Sequence, residues 1–304
     1  WYPSVSGSLI FSSLFKHGDW FSFGKLRASW ANVGGDTDPY QLYLDFGTKG
    51  FKLNGQSLGE VASTVIPYYD LKPTASYSME VGLDVRFFQS RLSLDLTLYQ
   101  QTTKNQIMSL PISSSSSFTR ALINAGEIRN RGIELTIDGV AFQNRDWRVG
   151  GTFVFSRNRN KVLSFGNAVQ TGLKTDLRTG MQYEYYGNQS EQFRAYTNIL
   201  AVGQPMYVFY GYRTDGIVQS LAEGLSAGLS GDDAQPGEFK YVDIYDGDGL
   251  ETVDENDMCI IGDPNPDWMA SLGIDVSWRR FDFSIFINGV FGNDVLNTKR
   301  FDQP

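Results

Sequence analysis

The sequence predicts an all-β protein that forms part of a large antiparallel transmembrane β-barrel. Several segments alternate apolar and polar residues in strict period two, which is typical of strands. Turns of two or three residues alternate with loops of tens of residues, which is typical of outer-membrane barrels. No run of about 18 apolar residues occurs, so the chain offers no transmembrane helix. A soluble β-sandwich also alternates in this way, and that alternative stays open here.

The clearest hairpin lies between Ser76 and Gln101. A two-residue loop at Gln89 and Ser90 brings the apolar residues of both strands into phase on one face. Each strand then has about ten residues, enough to cross a bilayer at the tilt of a barrel strand. The predicted pairs are Phe87 with Leu92, Val85 with Leu94, Leu83 with Leu96, and Val81 with Leu98.

The opposite face of this hairpin carries charges. The same register places Asp84 opposite Asp95, and like charges in that position cost stability unless water, a cation or a basic residue relieves them. Arg86 and Arg91 are the nearby basic residues, and a wet barrel lumen would supply the water. This register therefore favours a barrel over a soluble sheet.

Two further hairpins repeat the design. One has odd-numbered apolar residues from Ile133 to Phe155 around a loop at Gln143 to Arg145, and the other turns at Arg279 and Arg280. These turns and the one near Ser90 each lie beside an aromatic residue, so we expect them together at the periplasmic rim with an aromatic girdle. Leu272, Ile274, Val276 and Trp278 are predicted to face Ile287, Ile285, Phe283 and Phe281.

The remaining segments are less regular. Residues 4–11 alternate as a strand, and Gly24 is predicted to mark a bulge in the next one. Residues 34–74 show no sustained period and are predicted to be a long loop. The low-complexity serine run at 113–117 is predicted to be the tip of a loop. The glycine-rich stretch at 224–237 is predicted to be flexible. A short strand is expected near Tyr207 to Tyr212.

Composition restricts the function. The formal charge of −8 argues against nucleic-acid binding. One histidine, His17, and one cysteine, Cys259, leave no room for a disulfide, a thiolate-rich metal site or a nucleophile with a nearby base. The sequence therefore gives no support to an enzyme.

Several blocks of the sequence resemble the SusC/RagA-like TonB-dependent outer-membrane transporters of the Bacteroidetes type. They follow the order of that family from Trp1 to nearly Asn288, and together they are specific. Residues 1–304 are thus expected to be a partial barrel domain from the later part of such a receptor, without its plug and closing strands. The blocks are WYPSVSGSLIFSS, KLRASWANVGG, LKPTASYSMEVGLDVRFFQSRLSLDLTLYQQTTKNQI, NAGEIRNRGIELTI, FSRNRNKV, GQPMYVFYGYRTDGI, YVDIYDGDG and IGDPNPDW.

This resemblance implies a barrel of about 22 strands in the outer membrane, surrounded by lipid and closed by an N-terminal plug. It also implies a SusD-like surface lipoprotein as partner, TonB acting through the missing N-terminal part, and oligosaccharides or peptides as substrates. None of this follows from the spacing of residues alone.

An acidic loop is a candidate calcium site, since calcium prefers oxygen ligands. The family's usual block at this place resembles an EF-hand loop, D-x-N-G-D-G-x-x-D. This chain departs from it, with Tyr245 as an extra residue and a longer gap from Leu250 to Thr252, so ligand geometry does not carry over unchanged. A solvated acidic loop without metal explains the residues equally well. The candidate ligands are Asp243, Asp246, Asp248, Asp254 and Asp257.

A tyrosine cluster at Tyr183, Tyr185 and Tyr186 is a candidate for substrate contact, because phenol rings stack on sugars and contact peptides. Tyrosines also serve loop packing and the membrane girdle. Three functions stay open: active uptake through a plugged barrel, passage through a passive porin, and carbohydrate binding by a soluble or surface β protein.

Overall fold

The computed structural model describes residues 1–16, 18–36, 39, 42–112, 118–124, 126–166, 173–186, 197–245, 247 and 252–297. Strands are numbered β1 to β20 in chain order. None of the helices among these residues has the length and hydropathy needed to cross a membrane.

Eight long strands form one antiparallel sheet, in the order β1-β2-β6-β7-β10-β11-β19-β20. The connections within the hairpins β1–β2, β6–β7, β10–β11 and β19–β20 lie at one rim of the sheet, which we call the short-turn rim. The longer connections between these hairpins lie at the other rim, the long-loop rim. The strands are β1 (Ser4–Leu9), β2 (Phe21–Gly35), β6 (Thr74–Phe87), β7 (Leu92–Lys104), β10 (Glu127–Gln143), β11 (Trp147–Ser164), β19 (Trp268–Trp278) and β20 (Phe281–Phe291).

The predicted registers of the first and last hairpins are confirmed. In the first hairpin, Phe87 pairs with Leu92, Leu83 with Leu96, and Asp84 with Asp95. In the last hairpin, the four predicted pairs from Leu272 with Ile287 to Trp278 with Phe281 are all present. The third hairpin keeps the predicted phase, with odd-numbered residues facing each other, but its register differs by two residues from the one that a loop at 143–145 implies. It pairs Ile137 with Phe153 and Leu135 with Phe155. Period-two patterning therefore determines which residues share a face.

The predicted turns need correction. The first is a four-residue turn from Phe88 to Arg91, because Phe88, Gln89 and Ser90 all adopt positive φ and the amide of Phe88 donates to Trp20 of the neighbouring connection. The loop between β10 and β11 is Asn144 to Asp146, one residue later than predicted. A register shift between Val140 and Phe142 leaves Ala141 as an extra, bulged residue.

Residues near the start of the chain also differ from expectation. Phe11 lies in a 3-10 turn (Phe11–Leu14) rather than in a strand. The register shift in β2 falls between Phe21 and Phe23, not at Gly24. Gly24 instead makes room for a ring, because a Cβ there would come within 2.3 Å of Phe11 Cζ, too close for any side chain.

The long-loop rim carries structure that the sequence did not predict. Residues 34–74 contain a hairpin whose turn, Asn54 and Gly55, has two positive φ values as a type I′ turn requires. Residues 224–237 were predicted to be flexible, but they include the end of helix α1 (Leu221–Ser226), capped by Ser220, and a 3-10 turn (Gly231–Ala234). The serine run lies outside the described residues. The strand predicted near Tyr207 to Tyr212 is present as β15 (Val208–Gly211).

The other strands of this rim form smaller sheets, ordered β12-β13-β14-β15-β18, β5-β9-β8, β3-β4 and β16-β17. We call these elements together the loop layer. Its strands are β3 (Phe46–Leu53), β4 (Gln56–Val61), β5 (Val65–Pro67), β8 (Ile107–Pro111), β9 (Arg120–Asn124), β12 (Lys174–Thr175), β13 (Gln182–Tyr186), β14 (Asn198–Ala201), β15 (Val208–Gly211), β16 (Thr214–Ile217), β17 (Phe239–Tyr241) and β18 (Cys259–Gly262).

The compact cores lie in the loop layer rather than in the large sheet. One cluster contains Leu110, Val162, Phe165 and Leu200, and so joins the end of β11 to β8 and β14. On the large sheet, by contrast, apolar side chains such as Phe283 and Ile274 remain 60% and 37% exposed. A broad exposed apolar face is expected where lipid is the solvent.

We predict that Leu83→Arg destabilises the complete receptor by about 2–4 kcal/mol, because it places a guanidinium on the lipid face within a barrel strand. The measurement is a reversible folding titration in lipid vesicles. Thr136→Arg is the matched control, since Thr136 pairs with Asp95 on the other face of the sheet, where an arginine gains a carboxylate neighbour. Equal and small effects of the two changes would contradict the assignment of faces.

Candidate functional site

The large sheet has an apolar outer face and a polar inner face. On the outer face, one row runs from Leu26 through Leu83, Leu96 and Leu135 to Phe155. Tryptophans mark the two edges of the outer band: Trp278 lies against Trp147 and Phe281, and Trp268 stacks on Phe291 with ring centroids 3.9 Å apart.

The spacing of these tryptophans fits a membrane. The 11 residues of β19 run from Trp268 to Trp278. At a rise of about 3.3 Å per residue and a tilt of 35–45°, they cover roughly 25 Å along the membrane normal, which is the height of a barrel's apolar band.

The inner face contains an ion-pair network around the two facing aspartates. Arg27 of β2 donates two hydrogen bonds to Asp95, of 2.8 and 2.7 Å, and one to Thr97. Arg86 lies 3.5 Å from Asp84. The sequence predicted that Arg86 relieves the repulsion between the aspartates. It did not predict this role for Arg27, because the position of Arg27 beside them depends on the pairing of β2 with β6, which is far away in sequence.

Gly82 makes the main ion pair of this network possible. Arg27 pairs across the ladder with Gly82, and its side chain passes over this residue to reach Asp95 on the next strand. A Cβ on Gly82 would come within 2.2 Å of Arg27 Nε. The inner wall can thus hold charged residues within hydrogen-bonding distance, next to the aqueous lumen.

The loop layer is fastened to the wall at Asn160 of β11. Its side-chain oxygen accepts a 2.6 Å hydrogen bond from the amide of Met206, and its side-chain nitrogen donates to Asn265, 2.7 Å away. Asn265 in turn donates to the carbonyl of Met206 at 2.8 Å. These bonds, with the apolar cluster around Val162, hold the mouth of the wall in a defined shape.

Packing accounts for much of the tyrosine cluster. Tyr183 is 6% exposed and packs against Tyr210, with ring centroids 4.9 Å apart. Tyr186 lies against Tyr207 at 4.5 Å, and Lys174 Nζ lies 4.7 Å from the ring of Tyr185. Tyr185 and Tyr186 are half-buried, and substrate contact by the three rings stays a prediction.

The described part of the acidic loop is held by backbone amides. Asp257, 2% exposed, accepts hydrogen bonds from the amides of Ile244, Tyr245 and Asp254 at 2.8, 3.0 and 2.8 Å. Burial acts to raise the pKa of Asp257, but these hydrogen bonds outweigh it and lower the pKa below its ordinary value. Asp254 also caps the amide of Asn256 at 2.7 Å.

These contacts give Asp254 and Asp257 a structural role that the sequence did not reveal. Among the described residues, no three histidine, cysteine, aspartate or glutamate side chains are grouped as metal ligands would be. Two of the candidate ligands, Asp246 and Asp248, lie outside the described residues, and Asp243 lies just before them. Calcium binding by this loop therefore stays a prediction.

An apolar face of bilayer height, a charged inner face and an ordered mouth define part of the wall of an outer-membrane β-barrel. The family model for the TonB dependent receptor-like beta-barrel matches residues 1–303. The chain belongs to this family of outer-membrane receptors.

Curated relatives agree with this assignment. The chain is 28% identical to TonB-dependent receptor P3 of Formosa agariphila over 97% of its own length and 28% of that receptor. It is 22% identical to TonB-dependent receptor SusC of Bacteroides thetaiotaomicron, covering 89% of this chain and 25% of that receptor. The chain thus spans little more than a quarter of the curated relatives it matches.

A solved structure has the same fold. The RagAB peptide transporter superposes with a TM-score of 0.73 at 18% identity, covering 96% of this chain and 29% of that one. At this identity the likeness establishes the fold alone.

The carboxyl group of Glu184 in β13 allows the stability of the loop layer to be tested through its dependence on pH. Burial raises its pKa to about 7, although the amide of Tyr185 and the charge of Lys174 act in the opposite direction. The ordinary pKa of a glutamate carboxyl is about 4.3, so the folded protein binds this proton more tightly than the unfolded chain does. The loop layer therefore loses stability as pH rises from about 4.5 to 7. Partial exposure limits the effect to about 2 kcal/mol.

We therefore predict that Glu184→Gln makes local unfolding of β13 independent of pH in this interval and more costly than in the wild type at pH 8. The measurement is amide hydrogen exchange of β13 in the complete receptor at pH 5 and pH 8, corrected for intrinsic rates. An unchanged pH dependence in the variant would show that another group is responsible.

Proposed function

We propose that this chain is part of the barrel of an active transporter that imports oligosaccharides or peptides across the outer membrane. The observation that carries the proposal is the family match over residues 1–303, together with a wall that separates lipid from a charged lumen. The polar inner face supports passage of hydrophilic solutes, whose hydroxyl and amide groups need partners as they leave water.

We further propose that the complete receptor works with a SusD-like lipoprotein and draws energy from TonB. Support comes from relatives named SusC and from the solved RagAB peptide transporter, both of which the chain resembles over most of its length. The ordered loop layer offers a surface for such a partner at the mouth of the barrel. Calcium bound in the acidic loop would stiffen that surface by reducing repulsion among the aspartates.

A passive porin is the second candidate, since a polar lumen serves diffusion as well as active uptake. The two differ in their need for energy. The family to which the chain belongs is one of receptors.

The experiment measures uptake of labelled oligosaccharides and peptides by cells that produce the complete receptor, with and without a protonophore and with the tonB function deleted. We expect uptake to fall at least tenfold in both cases, while receptor levels in the outer membrane stay constant. A copurifying surface lipoprotein is expected from the same cells. Uptake that persists without energy would favour the porin.

A further inference from the structure

A cavity of about 990 Å³ lies in the loop layer. Four segments that are distant in sequence surround it: the turn after β12, the turn after β14, the connection from β15 to β16, and β18 with Ile244. Its volume is at the upper end of the range for pockets that hold small ligands. None of the candidate residues taken from the sequence lines it.

Asp176 provides a rigid carboxylate in the wall of this cavity. Its side chain is 2% exposed, and its Oδ1 accepts hydrogen bonds from the amides of Arg178 and Thr179 at 3.0 and 2.9 Å. The turn is closed by the amide of Gly180 donating to the carbonyl of Asp176 at 2.7 Å. The direction of the carboxylate is therefore determined by the backbone.

The other oxygen of this carboxylate lacks a donor. Asp176 Oδ2 is buried and accepts no hydrogen bond from any residue that the structure describes. The guanidinium of Arg178 lies 3.7 Å away, which is an ion pair but too long for a hydrogen bond. A buried carboxylate oxygen left without a donor destabilises the fold, and a ligand that donates a hydrogen bond to it would recover that cost.

The same cavity contains positive charge. Arg178 and Arg213 line it and are both exposed. Arg213 forms no ion pair with any acidic side chain in the described part of the chain. A guanidinium at the edge of a cavity, with no ion pair among the described residues, suits a carboxylate, which it can bind through two hydrogen bonds.

The rest of the lining mixes apolar side chains with the polar side chains of Thr179, Gln204 and Thr214, and this mixture helps to distinguish ligand classes. Sugar rings bind best on aromatic faces, and the only aromatic side chain among the lining residues that the structure describes is Tyr212. Aliphatic side chains instead suit the apolar side chains of a peptide. The aliphatic lining residues are Met181, Val202, Ile244, Ile260 and Ile261.

We propose that this cavity binds a short apolar peptide with free termini. The α-ammonium donates to Asp176 Oδ2, the carboxylate accepts from Arg213, and the apolar side chains contact the aliphatic lining. An ammonium is favoured over a hydroxyl at Asp176 because a charged donor makes the stronger hydrogen bond to a carboxylate. The site deepens the proposed function, on which its part in uptake rests, by selecting peptides among the two substrate classes.

The test uses the complete receptor, purified in detergent, and calorimetric titration with trialanine. N-acetyl-trialanine lacks the ammonium, trialanine amide lacks the carboxylate, and glucuronate offers a carboxylate with hydroxyls but no ammonium. We expect saturable binding of trialanine, at least tenfold weaker binding of both blocked peptides, and weaker binding of glucuronate. Equal binding of the three peptides, tighter binding of glucuronate, or no binding of trialanine would overturn the proposal.

Two variants test which side chain binds which terminus of the peptide. Asp176→Asn keeps an oxygen for the amides of Arg178 and Thr179, so the turn is preserved, and it should abolish the preference for trialanine over its acetylated form. Arg213→Gln should abolish only the preference over the amide. Arg280→Gln, at the opposite rim, is the control and should keep both preferences. If both preferences survive in the first two variants, the assignment of these side chains is wrong. Because titration measures binding and does not require transport, this result is independent of the uptake experiment.

Discussion

The separation of lipid from water by alternate residues is the constraint on which the rest of this structure depends. A strand in a bilayer must pair all its backbone groups with its neighbours, so it cannot bend freely to hide a misplaced side chain. Each residue therefore has a fixed face. The apolar row from Leu26 to Phe155 and the ion pair of Arg27 with Asp95 are the two results of this rule on the same strands.

The rule also explains where glycine is needed. Gly82 lets Arg27 reach Asp95 over the ladder, and Gly24 accepts the ring of Phe11 on the outer face near the short-turn rim. In both cases the partner belongs to another segment of the chain. Removal of a Cβ thus serves contacts between strands, not flexibility of the backbone.

The large sheet was predictable because its information is local. The phase of alternating residues determines the register of β6 with β7 and of β19 with β20, and the structure confirms both. The turn at Phe88 to Arg91 was not predictable, since its left-handed residues depend on a hydrogen bond from Phe88 to Trp20. The loop layer was missed for a similar reason: its cores, such as the one containing Val162 and Leu200, assemble short strands that show no period of their own.

The residues of the candidate site also differ in how far the sequence predicts their roles. Charged residues on the inner face followed from the pattern, but Asp176 and Arg213 carry no sequence signal, because only folding brings their distant segments around one cavity. Conversely, the sequence makes Asp254 and Asp257 candidate ligands, and it does not reveal that their carboxylates accept hydrogen bonds from backbone amides. An acidic residue that holds a turn and one that waits for a partner differ in their hydrogen bonds, which the sequence does not display.

The alternation of faces can be measured directly on the complete receptor in lipid vesicles. With Cys259 replaced by serine, single cysteines at positions 80, 81, 83, 84 and 86 of β6 are spin-labelled, and collision with oxygen, which concentrates in lipid, is compared with collision with a water-soluble nickel complex. The account predicts that oxygen collisions dominate at 81 and 83, and nickel collisions at 80, 84 and 86. A uniform profile, or a preference of positions 81 and 83 for the aqueous reagent, would contradict a membrane wall.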